Sequence, residues 1–243
     1  MKPPSPQHHP DFHIRATPGL GTGRGKEAPN LTFSATDKAN LRRISELIEY
    51  KTPGSLVVTE GQAANFVFLL VDGIIEASRT LRDGQKQILA FYWPGDLFGL
   101  AERGAYLNSD KAVTPCTVFR FPAERLERFL LENPKVQHAF LVKAVHDLRG
   151  VQRNLIVMGR LDIPRRLAAF LLDCSSHERY FDGHDQVLIL PFTRYDIADY
   201  LGASAESITR AFSRLEKLGL THRLSARTLQ LQTEALRAFA DLD

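Results

Sequence analysis

The amino-acid sequence predicts an α+β chain in three parts: a roll of short strands, a long helix, and a C-terminal helical domain carrying a small β-wing. Three observations support this. Between Tyr50 and Phe121, short apolar runs (SLVV, FVFLLV, QILAFYW, TVFRF) alternate with Gly54, Gly61, Gly73, Gly84 and Gly95, the texture of an antiparallel roll or barrel. From Leu141 to Met158, apolar or small side chains recur in steps of three and four. Thr193 to Leu218 reads as two short helices joined by a tight turn.

Composition sets the limits. The 243 residues, 44% of them hydrophobic, suit one large or two small domains. No run of about 18 apolar residues occurs, so no membrane partner is expected. The N-terminus is polar and Pro-rich and lacks the apolar middle of a signal peptide. Cys116 and Cys174 offer neither a disulfide framework nor metal-ligand spacing, which fits a reducing cytoplasm. The net charge of +3 is unevenly placed. Residues 161–243 hold 10 Lys/Arg against 12 Asp/Glu, yet residues 204–230 hold 5 against 2. Positive charge is therefore local, as it is in a protein that docks one face on nucleic acid.

In chain order, residues 1–30 carry six prolines, four glycines and His8, His9 and His13, and read as a disordered tail with no metal site. Residues 31–132 form the expected roll domain. It opens with an amphipathic helix over 31–48, with Leu41, Ile44, Leu47 and Ile48 on its buried side. Asp83-Gly84 is a hairpin turn, and Glu124 to Glu132 is a short helix. A longer helix starts at Pro134 and makes 133–160 a separate element. Its seam of Leu141, Ala144, Leu148, Val151, Leu155 and Met158 is the pattern of a two-stranded coiled coil, hence a homodimer. An amphipathic helix packed only on its own roll shares part of that pattern. Asp162 with Pro164 starts the last domain, 161–243, where Leu167, Phe170, Leu171 and Cys174 form a core face.

Within that domain Thr193 caps a helix, with Asp196 three residues on. Gly202 permits the left-handed residue that ends it, and Ser204 caps the next. Ile208, Phe212, Leu215 and Leu218 line one side of the second helix. Glu206, Thr209, Arg210 and Arg214 occupy the rest, with Glu206 and Arg210 one turn apart. An ordinary helical hairpin with a solvated ion pair shares these features. A helix-turn-helix requires them, because the start of its second helix enters the major groove. Leu220 to Leu231 then reads as two strands round a turn, with His222, Arg223 and Arg227 near phosphates. Leu236 to Phe239 is a terminal helix.

LPFTRYDIADYLGASAESITRAFSRLEKLGL resembles, along its whole length, the DNA-binding signature of the Crp/Fnr family of bacterial transcription regulators, and most of all its FixK and Fnr branch. That branch carries a Glu, two residues, then Ser-Arg; here Glu206 is followed by Ser207, Ile208, Thr209 and Arg210, with Thr209 replacing Ser. The resemblance implies a cyclic-nucleotide-binding-like β-roll, a dimerisation helix and a C-terminal winged helix-turn-helix. It implies DNA contacts from Glu206, Thr209, Arg210, Arg214, Ser204, Arg194 and Arg223 on a TTGAT-like palindromic promoter site. It further implies a homodimer that contacts RNA polymerase and activates genes for microaerobic life and nitrogen fixation. Fnr proteins hold an iron–sulfur centre on N-terminal cysteines. None precedes Cys116 here, so the FixK-like branch is favoured and no cofactor is expected.

Gly95-Asp96-Leu97-Phe98-Gly99 resembles the phosphate-side segment of the nucleotide-binding rolls. Members that bind a cyclic nucleotide have a Glu just after it and an Arg-Ser pair before the next strand. Here Leu100 stands at the Glu position, with Glu102 nearby, and Tyr106 and Leu107 stand at the Arg-Ser positions. A cyclic phosphate would lose its bidentate partner, so nucleotide binding is expected to be lost. The alternative is a cyclic-nucleotide-dependent Crp-type regulator. An enzyme is not expected: the chain has no Gly-Lys phosphate loop, zinc-binding His-Glu pair or nucleophile elbow.

Overall fold

Ser34 sets the first boundary of regular structure. In the computed structural model, which describes residues 12, 14, 33–100 and 104–240, its Oγ accepts the Asp37 N–H at 3.1 Å, and the Asp37 carboxylate accepts the Ser34 N–H in return. Helix α1 (Ala35–Ile44) follows. It stops four residues short of the expected end, because Leu47 and Ile48 belong to strand β1 (Glu46–Tyr50). That strand pairs with Phe119 and Val118 of β8 (Cys116–Pro122), and the pairing overrides the helical spacing. Ile48 packs inward, whereas Leu47 is exposed instead of buried.

The roll continues through β2 (Leu56–Val58), β3 (Phe66–Asp72), β4 (Ile75–Thr80), β5 (Lys86–Tyr92), β6 (Leu97–Phe98) and β7 (Ser109–Ala112) before β8. Then come α2 (Ala123–Glu132), α3 (Pro134–Arg160) and α4 (Ile163–Ser175). The chain ends with β9 (Phe181–Asp182), β10 (Val187–Ile189), α5 (Arg194–Leu201), α6 (Ala205–Lys217), β11 (Thr221–Arg223), β12 (Thr228–Leu231) and α7 (Thr233–Ala240).

Contacts within the chain group its residues into two compact units. One holds the described residues of 1–16, 29–75 and 91–143; the other holds those of 76–90 and 144–243. The β4–β5 hairpin thus belongs with the C-terminal half of the chain, and α3 contributes to both units.

In the first unit, an antiparallel sheet runs in the order β1-β8-β3-β6. Side-chain alternation along its strands divides the core. Val67, Leu69, Phe119 and Phe121 pack with Leu41, Leu126, Phe129 and Val136 on one face. Phe68, Leu70 and Val118 pack with Phe98, Tyr106 and Cys116 on the other. The expectation of a disordered tail over 1–30 fails at two positions. Phe12 and Ile14 are each 1% exposed, and the Phe12 ring stacks on Phe119 with centroids 4.1 Å apart. Two large apolar side chains within a polar, Pro-rich stretch found a sheet face to cover. The rest of that stretch, with His8, His9 and His13, lies outside the described residues. Lys143 of α3 is 2% exposed and pairs with Asp96 at 2.9 Å.

In the second unit, Asp162 caps α4 by accepting the Arg165 N–H at 3.1 Å. Leu167, Phe170, Leu171 and Cys174 are buried, as their spacing predicts. The wing is one edge of a sheet ordered β11-β12-β10-β9. Its two added strands were not legible as strands, since β9 spans two residues and β10 three. The hairpin turns at Gly84, whose φ of +83° is the reason glycine stands there.

Along α3, Leu141, Ala144, Leu148, Val151 and Leu155 are exposed, with Leu141 at 61%, Leu148 at 57% and Leu155 at 69%. Val145 and Ile156 extend the same apolar surface. Met158 departs from the expected seam. It is half-buried, lines a small cleft with Phe170 and Tyr200, and lies 4.0 Å from the Arg166 guanidinium. At the end of α3, Met158 packs against α4 instead of lying on the exposed stripe.

Candidate nucleic-acid interface

The two helices of the motif begin and end as their sequence dictates. The Thr193 hydroxyl accepts the Asp196 N–H at 3.1 Å, and Asp196 accepts the Thr193 N–H at 2.8 Å, a complete capping box. Gly202 adopts φ +61° and ψ +46° at the C-cap of α5. Two residues on, Ser204 is extended, and its Oγ accepts the Ser207 N–H at 3.1 Å to start α6. Ile208, Phe212 and Leu215 are fully buried and seat α6 on the unit's core. Leu218, expected on that face, is 53% exposed, because it caps the helix after its last turn.

The exposed start of α6 carries a connected polar network. Arg210 Nη1 donates to Glu206 Oε1 at 2.7 Å, and Nη2 donates to Ser207 Oγ at 3.2 Å. Ser207 is also bonded to Ser204, with Oγ atoms 2.9 Å apart. Both charged side chains are well exposed, at 68% and 77%. Such a pair adds little stability; what it does is orient a guanidinium that still has N–H donors to offer. The Thr209 hydroxyl donates to the Ala205 carbonyl at 2.9 Å, keeping its acceptor capacity and its methyl available. Arg214 is exposed in the last turn of the helix.

A second cluster joins the start of α5 to the wing. The Arg194 guanidinium lies 3.4 Å above the centroid of the Phe212 ring. Arg223 contacts Glu216 at 3.2 Å, a charge contact without the alignment of a hydrogen bond. Burial pushes the Arg194 pKa below its ordinary value, Arg223 adds to the effect, and Glu216 opposes it. Five of the seven sequence-predicted residues therefore fall into two groups, which Thr209 and Arg214 do not join. Ser204, Glu206 and Arg210 are brought together through Ser207, and Arg194 and Arg223 through Phe212 and Glu216. Sequence reasoning missed Ser207 as a link, although its place three residues after the cap marks it as the residue whose N–H the cap receives. It also missed Phe212 and Glu216 as partners of the second group. His222 and Arg227 are exposed on the wing.

In the roll, the positions that would serve a cyclic nucleotide look different. Leu100 and Leu107 are exposed, and Glu102 lies outside the described residues. Tyr106 is buried; its hydroxyl donates to the Phe66 carbonyl at 2.8 Å and accepts the Phe66 N–H at 3.1 Å. Phe98 stacks between Phe68 and Tyr92, with centroids 5.0 and 5.1 Å away. Asp110 is 1% exposed and accepts one bond from Asn108 Nδ2 at 2.8 Å; burial pushes its pKa up to about 7. Aromatic rings and an acid line this part of the roll, and the Arg120 guanidinium beside them lies 4.5 Å from the centroid of the Phe66 ring and pairs with Glu46. Both cysteines are buried: burial raises Cys116 to about 11 and Cys174 well above the ordinary thiol range, so neither is an activated thiolate. No helix is long and apolar enough to cross a membrane among the described residues.

Residues 48–133 match the cyclic nucleotide-binding domain, and residues 165–239 match the Crp-like helix-turn-helix domain. The nitrogen fixation regulation protein FixK of Azorhizobium caulinodans is 30% identical over 179 residues, covering 73% of this chain and 72% of that protein. The chain belongs to the Crp/Fnr family. The FixK of Bradyrhizobium diazoefficiens is 28% identical over 90% of both chains. The solved structure of FixK2 from Bradyrhizobium japonicum superposes with a TM-score of 0.73, at 27% identity, over 80% of this chain and 96% of that one. The Crp/Fnr fold assigns the first strands to a cyclic-nucleotide-binding β-roll and the last 75 matched residues to a DNA-binding helix-turn-helix. The protein is a FixK-like transcription regulator of the Crp/Fnr family.

Proposed function

We propose that this regulator works as a homodimer that binds a TTGAT-like palindromic promoter site, contacts RNA polymerase and activates genes of microaerobic life and nitrogen fixation. The observation that carries the proposal is the Ser204–Ser207–Arg210–Glu206 network on the exposed start of α6. Arg210 donates two hydrogen bonds to guanine O6 and N7, and Glu206 accepts one from the paired cytosine N4. Thr209 sets its methyl against a neighbouring thymine. Arg194, Arg214, Arg223 and Ser204 contact the backbone and fix register. The exposed stripe Leu141, Ala144, Leu148, Val151 and Leu155 pairs with its copy, and spaces the two reading helices about one helical turn of DNA apart. Residues 31–132 serve as a sensor roll, 133–160 as the dimer helix and 161–243 as the reading domain. The relatives named for nitrogen fixation support the physiological part.

A titration of variants against half-sites altered one base pair at a time tests this reading, run in air without any nucleotide. Glu206→Ala should keep most of its affinity but lose ~1–3 kcal/mol of preference at the G·C pair. Arg214→Ala should weaken all sequences alike and lower the salt slope. Full discrimination by Glu206→Ala would remove this helix from the groove. Binding that appears only with cyclic AMP would favour the cyclic-nucleotide-dependent alternative.

A further inference from the structure

The last turn of α5 is held from outside at three consecutive residues. Gln87 Nε2, on the β4–β5 hairpin, donates to the Asp199 carbonyl at 2.5 Å. Asn154 Nδ2, on α3, donates to the Tyr200 hydroxyl at 2.9 Å. Arg166 Nη1, on α4, donates to the Leu201 carbonyl at 3.2 Å. The donors lie 112, 46 and 35 positions from their acceptors, and all six residues belong to the second compact unit. A helix leaves its last four carbonyls without partners of its own. Here the Ala198 carbonyl accepts from the backbone of Gly202 and Ala203, while side chains from distant elements take those of Asp199 and Leu201. Arg166 also brings positive charge to the negative end of the helix.

Two of the donors and one acceptor are themselves braced. Gln87 Nε2 is shared with the carbonyl of Ile88 at 3.0 Å, and the adjacent Lys86 pairs with the buried Glu76 at 2.6 Å. Arg166 Nε donates to the Leu161 carbonyl at 2.9 Å, so one guanidinium ties the end of α5 to the link between α3 and α4. Tyr200 rests on Phe170, with centroids 5.5 Å apart. Only Gly202, Ala203 and Ser204 separate the clamped turn from α6. A shift of Leu201 therefore moves the cap of the reading helix.

From this geometry we infer that Gln87, Asn154 and Arg166 are positioning residues for DNA binding, and that Gln87 carries the hairpin's position to the reading helix. The clamp sets the direction in which α6 leaves the body, and so the distance between the two reading helices of a dimer. This rests on the DNA-binding and dimer reading above.

The test compares full-length Gln87→Glu and Gln87→Lys on palindromes whose half-sites are at the natural spacing, or one base pair closer or further apart. Gln87→Glu is nearly isosteric but sets an acceptor against the Asp199 carbonyl; Gln87→Lys keeps a donor. Gln87→Glu should lose about tenfold in affinity at the natural spacing, the range of a lost hydrogen bond. It should bind the altered spacings nearly as well, while its single-base preferences within a half-site stay intact. Gln87→Lys should behave as the parent does. Asn154→Ala, read the same way, covers the case in which Gln87→Glu fails to fold. Undiminished spacing preference in Gln87→Glu or in Asn154→Ala overturns the clamp. A parent protein with no spacing or base preference overturns the DNA-binding reading instead.

Discussion

Asp110 shows what one side chain can impose on stability. Its carboxyl sits inside the roll with a single hydrogen bond, and its pKa rises from 3.8 to about 7. In the unfolded chain it ionises near its ordinary value, so between roughly pH 4 and 7 the folded state holds a proton that the unfolded state releases. Stability from this group is therefore fully present at low pH and lost as pH rises to about 7. A rise of that size corresponds to on the order of 4 kcal/mol. Asp110→Asn should remove that dependence: its thermal midpoint should match the parent's near pH 4 and exceed it increasingly up to pH 7. Parallel curves would show that the carboxyl is not held protonated. Nothing in the sequence marks Asp110, because its burial depends on how β7 faces the roll. Glu206 and Arg210, by contrast, were legible, since one helical turn fixes their proximity. Arg194 over Phe212 was not, since the two helices must first dock.

Among the elements, α3 carries the clearest unmet demand. An apolar stripe that stays exposed in one chain is the expected face of a helix that meets a copy of itself. Leu148→Asp places a charge where two such helices exclude water, at a cost of ~3–5 kcal/mol when it is left unpaired. Sedimentation should show monomer, and specific DNA retardation should vanish with it. A variant that remains dimeric would place the interface elsewhere. Periodicity found this stripe over most of its length and failed at Met158, where α4 competes for the same face. It failed similarly at Leu47 and Ile48. Apolar spacing cannot distinguish the end of α1 from a strand that pairs with β8, and Ser45 gave no strong stop signal.

For the molecule as a whole, contacts group residues that lie far apart in the chain, with 76–90 joined to 144–243. Caps, turns and glycines report on their neighbours within a few residues. The assignment of residues 76–90 to the C-terminal unit depends on contacts such as Gln87 with Asp199. The same holds for Phe12 and Ile14, which occupy the sheet face beside Phe119 and Phe121. They act as a plug supplied by the least structured-looking stretch of the chain. Anyone trimming the protein to residues 31–243 to obtain a tidier sample would pull that plug. Losing a buried Phe alone costs ~3–5 kcal/mol, enough to consume a large share of a typical domain's stability. The shortened chain should melt earlier and bind a hydrophobic dye, and Phe12→Ala with Ile14→Ala in the full chain should reproduce both effects. Equal melting of trimmed and full-length protein would show the plug to be dispensable.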